Sequence, residues 1–185
     1  MERTENKLRI ICEAGIMLAI AQILSYIRLY KFPNGGSVDF AMLPIVIFCA
    51  RYGVPWGALT GFVYGILQYF IGLSTSIDWT TLLADYLIAY SVLGLGAGIA
   101  HYMSKNRMSH AIIIGGAMRF CVHLVVGALV WGKYMPETFW NMHMTSVWVY
   151  SFLYNGSYMF IDIMIVLIAV SLLRKPLSKI LGEGM

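Results

Sequence analysis

The chain has 185 residues, of which 59% are hydrophobic and only 12% charged, and its mean hydropathy is +0.74. A water-soluble domain of this length cannot hide so much apolar surface, because its exterior must still carry charge. One compact polytopic membrane domain over residues 1–185 is therefore expected. The formal charge of +4 does not point to nucleic acid, since the basic residues fall in short loops between apolar spans and form no contiguous basic face.

Six apolar segments are predicted in chain order: about 8–29, 40–50, 54–71, 79–103, 110–134 and 147–173. Helices are the spanning form that satisfies every backbone group internally, so the predicted class is an all-α integral membrane protein of six transmembrane helices. The first segment follows Arg3, Lys7 and Arg9 and holds "LAIA", which mimics a cleavable leader. Glu13 interrupts it and the apolar run continues through Ile27, so a retained span is expected. The second segment is too short to cross upright alone.

Lysine and arginine set the orientation. With the N-terminus in the cytoplasm, Arg3, Lys7, Arg9, Arg51, Lys105, Arg107, Arg174, Lys175 and Lys179 lie inside, and only Arg28, Lys31 and Lys133 lie outside. Both termini are then cytoplasmic. The connection Tyr30–Asp39 is the most turn-rich external loop, with Pro33, Asn34, Gly35 and Gly36. Cys12, Cys49 and Cys121 have no metal or disulfide spacing and are expected to be small buried hydrophobes.

Ionisable groups inside a span must be paired or face a cavity. The candidates are Glu13, Asp85, Arg119, His123 and Asp162, with Gln68 and Asn155 as polar companions. At about 1.5 Å per residue, His123, Asp85 and Asn155 lie roughly 16, 9 and 12 Å below the outer ends of their helices. Three helices thus place polar groups at similar depth, which points to one outward pocket. Glu13 and Asp162 lie nearer the cytoplasm.

Arg119, His123, Gly127 and Trp131 recur every fourth residue and form a winding stripe roughly 18 Å tall on the fifth helix. Gly127 lets a ligand or another backbone approach closely. The same stripe also suits helix packing, with Arg119 paired to Asp162 or Asp85. Tyr150, Tyr154, Tyr158 and Asp162 repeat the step on the sixth helix, with Asn155 adjacent. Aromatic faces attract an organic cation. Asp85 adds negative charge, and Asn155, His123 and Tyr150 can read the edge of a planar heterocycle. No G-x-x-x-x-G-K-[ST], G-x-S-x-G or H-E-x-x-H occurs, so neither nucleotide hydrolysis, an enzyme motif nor a metal is expected.

The stretches "GGSV" (Gly35–Val38), "ARYG" (Ala50–Gly53), "TGFVYGILQYFIG" (Thr60–Gly72), "LLADYLIAY" (Leu82–Tyr90), "MRFCVHLVVGALVW" (Met118–Trp131) and "VYSFLYNGSYM" (Val149–Met159) stand in order along nearly the whole chain. Together they resemble the thiamine-binding S components, the ThiT/YuaJ family, of energy-coupling factor transporters. The resemblance implies a six-helix fold in the bacterial plasma membrane, thiamine as ligand, no cofactor and no covalent chemistry. It implies substrate contacts at Asp85 and Tyr86, at His123, Gly127 and Trp131, and at Tyr150 and Asn155, with Trp131 stacking on the ligand. Tyr64 and Arg119 stand at aromatic and basic positions of the family. Where some members carry a tryptophan and a glutamate in the first external loop, this chain has Gly35 and Asp39, and Tyr30 and Phe32 are the aromatic candidates for the missing indole.

The resemblance also implies a transmembrane coupling subunit and two cytoplasmic ATPases as partners, with Gly15 and Ala19 of "GIMLA" presented to the coupling subunit. Transport would proceed by reorientation of the loaded subunit in the bilayer. The alternatives are an S component for another small molecule such as a thiamine precursor, an intramembrane enzyme using His123 and Asp85, and an autonomous transporter or channel.

Overall fold

The computed structural model describes residues 2–33, 35–72, 79–103 and 106–181, and side chains from residue 6 to residue 179 within those stretches. Asn34 of the expected turn and Lys105 of the expected inner charge set lie outside the described residues, as does the side chain of Arg3.

Six helices build the bundle: α1 (Glu2–Tyr26), α2 (Met42–Tyr52), α3 (Val54–Ile71), α4 (Trp79–Tyr102), α5 (Arg107–Leu129) and α6 (Val147–Leu172). All but α2 are long and apolar enough to cross a membrane. Helix α2 is only 11 residues long, yet Met42 to Ala50 are all buried. It packs against α1, α3, α4, α5 and α6 at once. A short helix is tolerated there because its backbone ends meet protein rather than lipid.

Three features go beyond the expected segments. Antiparallel pairs β1 (Tyr30–Lys31) with β2 (Ser37–Val38), and β3 (Thr138–Phe139) with β4 (Met142–His143), cap one end of the bundle. The fifth helix stops at Leu129 rather than running to 134, and Trp131–Tyr134 forms a separate 3-10 turn. A final helix, α7 (Arg174–Leu181), follows α6 and buries Leu177 against the core. Of the cysteines, Cys49 is buried, but Cys12 and Cys121 are exposed on the outer faces of α1 and α5, so burial holds for one of the three.

Helices α3 and α4 meet through glycine. Carbons added at Gly57 and Gly61 would overlap the carbonyls of Gly94 and Tyr90, and one at Gly65 would lie 2.6 Å from the Tyr86 carbonyl oxygen. In a bundle without a solvent-driven hydrophobic force, such close approach supplies the packing energy. It also brings Tyr86 and Tyr90 of α4 to a fixed depth. Gly61→Val should therefore cost more than about 3 kcal/mol through overpacking, seen as a lower melting temperature of the purified protein in detergent. A melting temperature equal to wild type would contradict this contact.

Candidate ligand-binding site

A cavity of about 100 Å³ opens at the hairpin end of the bundle. Helix α4 gives it Asp85, Tyr86 and Tyr90, and α5 gives Arg119, His123 and Gly127. Trp131 enters from the 3-10 turn, and Tyr150, Ser151, Tyr154, Asn155 and Tyr158 come from α6. Gly35, Gly36 and Ser37 form its roof. At roughly 10–15 Å³ per water, this space suits a small molecule rather than one or two solvent molecules.

Asp85 organises the wall. Its Oδ2 accepts the Trp131 indole N–H at 2.8 Å, and its Oδ1 lies 3.1 Å from His123 Nδ1. A carboxylate only accepts, so Nδ1 carries the proton, and in the neutral form of the ring Nε2 is an acceptor. That Nε2 is buried and has no hydrogen-bond partner among the described residues. Asp85 and Tyr86 are neighbours in sequence, yet both face the cavity. They sit in the π-helical turns Leu82–Ile88, whose wider winding re-aims side chains.

Asn155 ties two helices together. Its Nδ2 donates to the His123 carbonyl at 3.2 Å, the Ser151 carbonyl at 2.9 Å and Ser151 Oγ at 3.1 Å, while its Oδ1 accepts the Tyr158 hydroxyl at 2.9 Å. Ser151 Oγ–H donates to the Leu124 carbonyl at 2.7 Å. Gly127 leaves the room for this network, since a carbon added there would overlap Ser151 Oγ.

The family described as Thiamine transporter protein (Thia_YuaJ) matches residues 11–181. The chain belongs to this family. Thiamine transporter ThiT of Bacillus subtilis (strain 168) is 31% identical, over 98% of this chain and 97% of that protein. Thiamine transporter ThiT of Lacticaseibacillus paracasei is 28% identical, over 91% of this chain and 88% of that protein. The solved structure of ThiT from Listeria monocytogenes has a TM-score of 0.78 at 23% identity, over 92% of this chain and 96% of that one, and shows the same fold. The family is one of transporters rather than enzymes, and the chain is a multi-pass protein of the bacterial plasma membrane.

Eight of the residues expected to contact substrate meet in the cavity: Asp85, Tyr86, Arg119, His123, Gly127, Trp131, Tyr150 and Asn155. Two do not line it. Tyr64 is fully buried; its hydroxyl accepts from Gln68 Nε2 of α3 at 2.6 Å and donates to the Ala21 carbonyl of α1 at 3.4 Å. Asp39 has spent its carboxylate on the Ser37 hydroxyl at 3.1 Å and the Ala41 N–H at 2.9 Å, which shapes the chain leading into α2.

Arg119 takes neither expected carboxylate as an ion-pair partner among the described residues. Its Nη2 donates to the Tyr90 hydroxyl at 3.2 Å, and its guanidinium lies 4.5 Å from the centre of that ring. Tyr90, Ser37 and Ser151 are lining residues that sequence reading passed over. Helical spacing carried a signal for two of them, because Tyr90 is four residues from Tyr86 and Ser151 four from Asn155.

Glu13 has its own partners, accepting from Arg51 Nη1 at 2.9 Å and from the Tyr52 hydroxyl at 2.6 Å. Gly15 and Ala19 are exposed on α1, and a carbon added at Gly15 meets nothing within 4 Å. Gly127→Ala should destabilise the fold by about 1–3 kcal/mol through overpacking, whereas Gly15→Ala leaves thermal stability unchanged or raised. Equal melting temperatures for the two variants in detergent would refute the close packing of α5 on α6.

Proposed function

We propose that this chain is the thiamine-capture subunit of an energy-coupling factor transporter. It binds thiamine in the cavity at the hairpin end and works with a transmembrane coupling subunit and two cytoplasmic ATPases. The hairpin end faces outward and both termini lie in the cytoplasm. The distribution of charge supports this orientation: Arg51, Arg107, Arg174, Lys175 and Lys179 sit at one end of the bundle, and Arg28, Lys31 and Lys133 at the other.

The observation that carries the ligand assignment is the buried acceptor His123 Nε2 beside the Asp85 carboxylate, in a wall of aromatic rings. Such a wall calls for a ligand that brings N–H donors and positive charge. Thiamine brings an exocyclic amine on its pyrimidine and a permanent charge on its thiazolium. In this reading His123 and Asp85 take the donors and the charge. Trp131, with its N–H held by Asp85, offers its ring face to the cation. Asn155, already saturated by His123, Ser151 and Tyr158, holds the wall in place and gives only what lone pairs remain.

Energy comes from the partners, and the chain meets them through α1. The exposed pair Gly15 and Ala19 supports that role, because small residues let another helix approach closely.

Titration of the purified protein with thiamine, followed by tryptophan fluorescence, tests the assignment directly. Saturable quenching is expected. Absence of binding, or equal affinity for a neutral pyrimidine precursor, would overturn it. Trp131→Ala should weaken binding by about 2 kcal/mol, roughly thirtyfold, while an unchanged affinity in the folded variant removes the stacking role. Gly15→Leu should leave this titration unaltered and abolish ATP-dependent thiamine uptake in cells that carry the partner module. Normal uptake by that variant would place the coupling surface elsewhere.

A further inference from the structure

Asp162 is a carboxylate within α6, only 5% exposed, and it does not line the cavity described above. It is the fourth rung of the stripe Tyr150, Tyr154, Tyr158 and Asp162. The segment Gly36–Asp39 runs down that stripe. The Gly36 N–H donates to the Tyr154 hydroxyl at 3.1 Å. A carbon added at Gly36 would lie 2.6 Å from the Tyr158 ring, so the backbone rests directly on it. One rung further, the Asp39 N–H donates to Asp162 Oδ1 at 3.0 Å. This same segment carries Gly36 and Ser37, the roof of the ligand cavity.

The lower end of the roof is therefore tied to α6 through Asp162. Asp39 stiffens its own turn through Ser37 and joins the start of α2 through the Ala41 N–H, while the Asp39 N–H is its tie to α6. Asp162 does not reach the ligand cavity. It faces a second, smaller chamber of about 30 Å³, with Arg28, Asp39, Gln68, Tyr90 and Arg119. At roughly 10–15 Å³ per water, this chamber has room for about two solvent molecules. Ser37, Tyr90 and Arg119 line both spaces and form the partition between them.

We propose that Asp162 is a positioning residue that anchors the roof segment Gly36–Asp39 to α6 and thereby sets how fast thiamine leaves the site. The proposal rests on the thiamine reading for its kinetic part only. Two variants separate its components: Asp162→Asn keeps an oxygen acceptor for the Asp39 N–H and loses the charge, and Asp162→Ala loses both.

Two measurements decide it. Amide hydrogen exchange of residues 36–41 in the ligand-free protein should be slow in wild type and Asp162→Asn, and fast in Asp162→Ala. Stopped-flow tryptophan fluorescence should show thiamine dissociating on the order of tenfold faster from Asp162→Ala, with the association rate changed less than about twofold. Asp162→Asn should restore slow dissociation. Fast exchange of the Asp39 amide in wild type overturns the anchor, and this arm stands even if Asp162→Ala does not fold. Equal dissociation rates for Asp162→Ala and wild type, or equal damage from Asn and Ala, also overturn it. Failure of the wild type to bind thiamine at all would sink the ligand assignment and leave the exchange result to decide the anchor.

Discussion

A carboxylate inside a membrane bundle must find its donors within the protein. Asp85 finds two, the indole of Trp131 and the imidazole of His123. Each of those side chains comes from a different stretch after α4, so one carboxylate fixes the distance between α4, α5 and the 3-10 turn beyond it. It also holds a proton on Nδ1 of His123, whose other nitrogen has no hydrogen-bond partner among the described residues. The shape and the chemistry of the site thus have a common cause. Without the glycine contacts of α3 on α4, Asp85 would not sit at the right depth to act this way.

The remaining polar residues are sorted into separate compartments, each with its own balance. Glu13, Arg51 and Tyr52 form one at the end of the bundle away from the hairpins. Gln22, Gln68 and Tyr64 form another between α1 and α3. Arg28, Asp39, Arg119 and Asp162 surround the small chamber, two cationic and two anionic side chains. Arg119 lines the larger cavity as well, but it engages Tyr90 rather than Asp85, so the Asp85 carboxylate has no arginine partner among the described residues. A site for an organic cation needs such a carboxylate, since one fully neutralised by arginine has little attraction left to give.

The helices were legible because length and hydropathy are one-dimensional properties. The stripe Arg119, His123, Gly127 and Trp131 was legible because a step of four survives in the sequence even where α5 gives way to a tighter turn. What the sequence hid is set by local winding and by short backbone pairings. Nothing in "LLADYLI" announces π-helical turns, which let both Asp85 and Tyr86 face the cavity. Two-residue strands have no period to detect. Tyr64 and Asp39 were expected among the substrate contacts through resemblance alone. Hydrogen bonds to Gln68 and to the Ser37–Ala41 turn account for their placement off the cavity, and such bonds leave no trace in spacing. Asp162 had been visible as a buried charge, but its partner is a backbone N–H, which every residue but proline possesses.

Helix α1 differs from the rest in how it is held. Its inward face offers Leu18, Ala21, Gln22 and Ser25, while Leu8, Ile11, Ile16, Ile20 and Ile23 are exposed. Apolar contact with the bundle is therefore limited, and polar clasps add to it: Glu13 to Arg51 and Tyr52, and Gln22 to Gln68. In a low-dielectric surrounding such clasps are directional and resist sliding more than apolar contact does. A helix fixed in this way can keep an exposed face. Gly15 and Ala19 lie on that exposed face. The clasps at Glu13 and Gln22 hold the exposed face of α1 in register with a cavity whose own geometry is governed from α4. In the proposed function, capture and coupling then share one rigid bundle while drawing on separate sets of residues.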